Sequence, residues 1–308
     1  MVEIYQKTLT KPVFFEGIGL HSGFKSKIKV MPAGANQGII FKRIDLPNNN
    51  LIKASYLNVT SAKLCTTLEN NHGAKVSTVE HLLAALYLAG IDNALIEIDS
   101  TEVPIMDGSA KDFLDILKIS ETKLLSEKRK FLKIEKKFEL VEGERKISIE
   151  PNDGSLEVEF QLNYDNQIIG KQKNAINFDK DNYNDVSISR TFCLFKDIEK
   201  IKQAGLAKGG SLDNAVVVDG EKVLNEGGLR NKKEFVNHKI LDLVGDFLLS
   251  GFRILGKVKC YQGGHELTNM FLRKMFSSKL FLMDNKIDKS SLSKKLNNSL
   301  SSKLAVNA

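Results

Sequence analysis

The sequence predicts an α+β fold of two similar domains, each a sheet with helices layered on it, packed helix to helix. Three observations carry that reading. Strand-like alternation of apolar and polar residues fills the stretch from Tyr5 to Ile52 and returns after Phe131. Two apolar-rich helical stretches each bear a histidine, His81 and His238, at corresponding places. Each is followed by a glycine, Gly90 or Gly251, and then by a strand, so the order strands, helix, glycine, strand occurs twice.

Between Tyr5 and Ile52 the alternating runs are broken by glycine and asparagine, which reads as strands joined by turns. Ser77 and Thr78 stand as candidate N-caps before VEHLLAALYLAG, a helix that stops near Gly90. NALIEID follows as a strand, and a short helix from about Lys111 to Leu117 closes a first domain of residues 1–127. The charged run SEKRK, Ser126 to Lys130, reads as a linker. Strands resume at FLKIEKKFELV, ISIEP and LEVEFQLNY, and a second long helix runs from about Lys233 to Ser250, ahead of the strand RILGKVKCY. The second domain is residues 128–286. Residues 287–308, rich in Ser, Lys and Asn, read as a flexible polar tail.

With 308 residues, 42% hydrophobic and 27% charged, the chain is long enough for two cores. Its longest apolar stretches, such as Leu82 to Ala89, fall far short of the roughly 20 residues that span a membrane as a helix. The N-terminal MVEIYQKTLTKP has no basic segment followed by a long apolar core, so secretion is not signalled and a cytoplasmic location is expected. Cys65, Cys193 and Cys260 are widely spaced and form no CxxC pair, which reads as reduced thiols. The formal charge of +7 suits an anionic partner: nucleic acid, a membrane surface or a phosphorylated small molecule. Lysines scattered among asparagines supply much of that excess and read first as a solvated surface, and no aromatic-interleaved basic motif argues for nucleic acid.

The second helix carries the clearest chemistry. At about 100° per residue, His238, Asp242 and Asp246 fall in one narrow stripe, while Ile240, Leu241, Leu243, Val244, Phe247 and Leu248 cover the rest of the circumference. Such a stripe faces something other than core. Histidine and aspartate at i, i+4 can aim a ring nitrogen and a carboxylate oxygen at one cation, although the spacing also suits a plain hydrogen-bonded pair. Glu80 and His81 on the first helix add a base candidate beside a second imidazole. Two histidines and a carboxylate with an open fourth position make a hydrolytic zinc arrangement. Gly263-Gly264-His265, read as a turn after a strand, would let the backbone approach a ligand and a histidine protonate a departing amine. His21 in GIGLHSG has a weaker case, and His72 in NNHGAK reads as surface.

Seven segments in one order, QKTLTKPVFFEGIGLHSG, STVEHLLAAL, EVPIMDGSA, SRTFCLF, GLAKGGSLDNAVVVD, LRNKKEFVNHKILDLVGD and GGHELTN, carry a family likeness over about Gln6 to Phe271. The chain resembles the zinc-dependent UDP-3-O-acyl-N-acetylglucosamine deacetylases. That resemblance implies an active site between the two domains and hydrolysis of the substrate's N-acetyl group to acetate and UDP-3-O-acyl-glucosamine. This is the committed step of lipid A synthesis in a Gram-negative cell. It implies zinc, or iron in the cell, held by His81, His238 and Asp242, the three residues that the spacing argument reaches independently. It further implies Glu80 as general base, His265 as a cationic acid kept protonated by Asp246, and the Thr191 hydroxyl as a stabiliser of the oxyanion.

By the same resemblance Lys239 looks like the diphosphate contact, and Tyr164 sits where the family stacks a ring on uracil. The stretch from Phe192 to Ala215 resembles a βαβ insert that forms an apolar passage for the acyl chain. Leu20, Ile198, Ala207, Ser211 and Ala215 would line it, with Phe192 also among the substrate contacts. Gln262 departs from the pattern: many members carry a lysine there that reaches the nucleotide phosphate. Its loss would weaken diphosphate binding or shift it onto Lys239 and other bases. The partner expected is an acylated UDP-amino-sugar, handled by a monomer with at most peripheral membrane contact and no nucleic acid. The alternatives are a metal amidase of the same architecture acting on another acylated amine, and a binding module without catalysis, in which Glu80 would have no task.

Overall fold

The computed structural model describes residues 4–152, 154–278 and 281–284. Alternating apolar residues resolve into two main sheets with one and the same strand order. In the first half it is Val13–Ile18, Lys25–Pro32, Ala94–Ile98, Ile39–Arg43 and Leu51–Lys53. In the second, Phe138–Glu142, Arg145–Glu150, Arg253–Tyr261, Leu156–Asn163 and Lys171–Asn177 repeat it. The central strand of each sheet is the one that follows the histidine-bearing helix. Within these five strands it has one antiparallel and one parallel neighbour in both halves, and Arg253–Tyr261 also pairs in parallel with Phe131–Ile134. Phe131–Ile134 and Phe281–Asp284 widen the second sheet.

Two helices belong to the first half, α1 (Glu80–Leu88) and α2 (Lys111–Ile119). Between the halves' shared elements come α3 (Asn184–Ser187) and α4 (Phe195–Gln203), and the second half adds α5 (Glu234–Leu248) and α6 (His265–Ser278). All of α5 except Lys239 is buried, as is α1 from Glu80 to Leu86. A helix buried on every side lies in the middle of a stack of layers rather than on its surface. These two helices meet there at backbone distance: a Cβ built on Gly245 of α5 would lie 2.2 Å from the Glu80 carbonyl oxygen of α1. Only glycine permits that approach.

A second tie between the halves sits at the other end of α1. Arg129 donates to the Gly90 carbonyl at 2.7 Å and to Asp92 Oδ2 at 2.8 Å. Arg253 donates to the Tyr87 carbonyl at 2.8 Å and to Asp92 Oδ1 at 3.3 Å. Two arginines of the second half thus bind the carbonyls at and just past the end of α1, the Tyr87 carbonyl accepting the Gly90 N–H as well.

Several local expectations are corrected. The run SEKRK is no free linker, because Ser126, Glu127 and Lys128 belong to the strand Thr122–Lys128, which pairs antiparallel with Tyr5–Leu9. Thr78 is no N-cap: it has a positive φ of 56°, and its hydroxyl donates to Glu102 Oε1 at 2.7 Å. Glu102 is a buried carboxylate that also accepts the His21 and Ser22 N–H groups, and satisfying it outweighs a cap. FLKIEKKFELV splits into two strands, Phe131–Ile134 and Phe138–Glu142. The turn expected at His265 ends there, since His265 opens α6. The polar tail at 287–308 lies outside the described residues. His72 is exposed, the three cysteines are free thiols, and no helix among the described residues is long and apolar enough to cross a membrane.

Candidate active site

The crossing of α1 and α5 brings His81, His238 and Asp242 together, all buried, with one donor atom from each within 4.8 Å of the others. Asp242 Oδ1 lies 3.5 Å from His81 Nε2 and 3.4 Å from His238 Nε2. Ligand atoms on a tetrahedral zinc at about 2.0–2.2 Å stand about 3.3–3.6 Å apart, so these separations fit one shared cation. The electrostatics fit too. Burial pushes the His238 imidazole down to about 3, so it is a neutral ring. Its Nδ1–H donates to the Ser189 carbonyl at 3.1 Å, which leaves the Nε2 lone pair facing inward. Burial opposes the charge on Asp242, yet the cationic Lys239 and His265 beside it help to hold its carboxyl well below the usual range. Asp242 Oδ1 is a buried oxygen with no hydrogen-bond partner, the kind of orphan that a cation satisfies.

The cluster is therefore equipped to coordinate a divalent metal such as zinc. His238→Ala is expected to lower metal affinity by more than about 100-fold, beyond the usual effect of losing an outer-shell partner. Metal analysis of the purified variant checks this, and full retention would remove His238 from the ligand set.

Beside the triad stand a carboxylate and an imidazole with opposite tendencies. Glu80 is the first residue of α1, and burial raises its carboxyl above the ordinary value. Its Oε2 accepts the Thr66 N–H at 3.0 Å, and its Oε1 lies 3.7 Å from His265 Nε2. Burial also works against charge on His265, but Asp246, Glu80 and Asp242 outweigh it and raise the ring to about 10. Its Nδ1–H donates to Asp246 Oδ2 at 2.8 Å. The other oxygen of Asp246 accepts the Thr66 hydroxyl at 2.7 Å. Thr66, which nothing in the sequence singled out, thus anchors two carboxylates at once.

A wall leads away from the metal triad. Lys239 Nζ donates to Asp242 Oδ2 at 2.9 Å and lies 5.6 Å over the Phe192 ring. Burial disfavours its charge, but Asp242 raises it above the ordinary lysine value, so it stays a cation. Phe192 meets the Tyr164 ring at 6.0 Å and Phe235 at 4.9 Å. Thr191 follows two residues after Ser189, whose carbonyl holds His238, and its N–H donates to the Gly108 carbonyl at 2.8 Å. This loop is pinned to the first turn of α5 by a buried pair: Glu234 accepts Arg190 Nε at 2.8 Å and the Arg230 N–H at 2.6 Å. Arg190 and Glu234 are a second feature that sequence reasoning passed over.

The segment from Phe192 to Asp219 is a βαβ unit, with Phe192–Leu194 parallel to Val216–Asp219 and α4 between. Its loop is zipped to the tip of the first-half hairpin. The Gly209 N–H donates to the Leu20 carbonyl at 3.0 Å, and a Cβ on Gly209 would meet the Gly19 carbonyl oxygen at 2.3 Å. Leu20 and Ala207 flank Gly210, and Ser211 comes next in the chain. Ala215 is buried at the loop's end, whereas Ile198 lies on α4, where it is half-buried.

Two imidazoles and a carboxylate placed to hold a cation, with a spare base and a charged acid beside them, are the equipment of a metal-dependent hydrolase. Comparison with known proteins agrees with that class. A family model described as LpxC, UDP-3-O-acyl N-acetylglycosamine deacetylase, matches residues 6–277, and the chain belongs to this family. A UDP-3-O-acyl-N-acetylglucosamine deacetylase of Pseudoalteromonas translucida is 42% identical over 278 residues, spanning 89% of this chain and 91% of the relative. The protein of that name from Geotalea uraniireducens is 42% identical over 274 residues, 89% of either chain. That from Haemophilus influenzae is 40% identical over 278 residues.

Proposed function

We propose that this chain hydrolyses the N-acetyl group of UDP-3-O-acyl-N-acetylglucosamine, releasing acetate and UDP-3-O-acyl-glucosamine at the committed step of lipid A synthesis. The observation that carries the reading is the convergence of His81, His238 and Asp242 beside Glu80 and His265 in a member of this family. His81, His238 and Asp242 would hold zinc, or iron in the cell, and the bound metal would supply Lewis acidity and make water more acidic.

The chain's own groups do the rest. Glu80 Oε1 takes the proton of the attacking water while Oε2 stays anchored on Thr66. His265, held by Asp246 and cationic at neutral pH, gives its Nε2 proton to the leaving nitrogen. Thr191 offers its hydroxyl to the developing oxyanion. Lys239 binds the diphosphate, Tyr164 and Phe192 take the base, and Leu20, Ile198, Ala207, Ser211 and Ala215 line the acyl passage. The working unit is two domains, 1–127 and 128–286, a division supported by the repeated strand order. It acts as a cytoplasmic monomer with at most peripheral membrane contact.

Zinc-loaded protein given UDP-3-O-acyl-N-acetylglucosamine should release acetate and free amine in equal amounts. No acetate from metal-replete protein would sink the reading. A substrate lacking the 3-O-acyl chain should turn over far more slowly, and equal rates would favour an amidase for another acylated amine.

A further inference from the structure

Gln262 joins the strand Arg253–Tyr261 to the turn before α6 and has a left-handed backbone, φ 52°. Its carboxamide makes both hydrogen bonds of a strand ladder with the main chain of Asn163. Oε1 accepts the Asn163 N–H at 3.0 Å, and Nε2 donates to the Asn163 carbonyl. Its own N–H donates to the Gln161 carbonyl at 3.0 Å. The parallel pairing of Leu156–Asn163 with Arg253–Tyr261 ends at Gln161 and Tyr261. The side chain therefore carries the ladder on to Asn163 after the partner backbone has turned away. A carboxamide offers the same carbonyl and N–H as a peptide group, and neither an apolar nor a cationic side chain does.

The residue after Asn163 is Tyr164, whose N–H closes its hairpin on the Gly170 carbonyl at 3.0 Å. Its ring meets Phe192, which lies under Lys239. Beyond Gln262 the turn is closely packed at Gly263. A Cβ on Gly263 would fall 2.2 Å from Cys260 Sγ, and His265 is already bonded to Asp246. If the amide pair is lost, Asn163, itself exposed, keeps its pairing with Lys171 on one edge only.

We infer that Gln262 is a positioning residue for nucleotide recognition: its carboxamide clamps Asn163 and so fixes the Tyr164 ring beside Phe192 and Lys239. The inference rests on the proposed function, which assigns that wall to the uridine diphosphate. The clamp sets affinity for the nucleotide and leaves the hydrolytic step alone.

The test uses zinc-loaded full-length protein and uridine diphosphate as the probe. Gln262→Met keeps the side-chain length but loses both hydrogen bonds. It is expected to raise the Kd for uridine diphosphate about tenfold, or about 1.4 kcal/mol, with KM rising alike. Turnover should stay within about twofold, metal content should not change, and the Asn163 amide proton should exchange at least about tenfold faster. Tyr164→Ala is the control for the subsite. If it leaves uridine diphosphate affinity intact, the base subsite falls and the inference with it. If Tyr164→Ala weakens binding but Gln262→Met does not, or if Gln262→Met lowers turnover and metal content together, the clamp alone is overturned.

Discussion

Glu80→Gln is expected to lower turnover by about 10²–10⁴-fold, the usual reach of a general base, while the metal stays bound. Glutamine keeps the shape and can still accept the Thr66 N–H that holds Oε2. It has no carboxylate to take a proton from water. Glu80 stands outside the converging set of His81, His238 and Asp242, so the metal has no reason to leave. Deacetylase rates and metal analysis on one preparation separate the cases. Unchanged turnover would move the base elsewhere, and lost metal would make Glu80 a ligand.

Gly245→Ala should do the reverse and damage the metal site without touching any group in it. The added methyl would meet backbone on every near side: the Glu80 carbonyl oxygen at 2.2 Å, the Glu80 carbonyl carbon at 3.0 Å and the Ala84 nitrogen at 3.1 Å. None of these is a flexible side chain, so α1 and α5 must part. Overpacking of this kind costs about 1–3 kcal/mol, and each kcal/mol lowers the melting temperature by roughly 2–4 °C in a chain of this order. The larger effect is on function. His81 rides on α1 while His238 and Asp242 ride on α5, so separation stretches the contacts of 3.5 Å across the crossing and spares the 3.4 Å contact within α5. Metal affinity should fall by at least about tenfold, read by competition with a chelator. Wild-type affinity and stability would mean that the two helices can separate freely.

How far the site was legible differs residue by residue. Helix period makes His238 and Asp242 candidates but suits a plain hydrogen-bonded pair as well, and it is Glu80-His81, at the matching place in the repeat, that tips the reading toward a metal. Glu80 and His265 were candidates as base and proton donor from their settings in the chain, whereas the roles of Asp246 and Thr191 came from likeness to a family, because a buried carboxylate or hydroxyl has no signature of its own. Thr66 escaped notice because it stands in irregular chain just before the three-residue strand Thr67–Glu69, too short to show a period. Its importance comes from meeting Asp246, 180 positions away. The helix α6 was visible in principle, since Leu267, Phe271 and Met275 recur at four-residue intervals and are all buried. The two glycines before it drew the reading toward a turn.

From the chain alone came the alternation of its strands, the twofold order of its elements and the donor atoms that α1 and α5 carry. These patterns recur every 2 or 3.6 residues, so they survive in one dimension. Folding alone decided that the two helices cross where Gly245 meets Glu80, that Thr66 ties base to acid, and that Gln262 reaches Asn163. Such contacts join residues 99 to 180 positions apart. They depend on distance in space and leave no periodic trace along the chain.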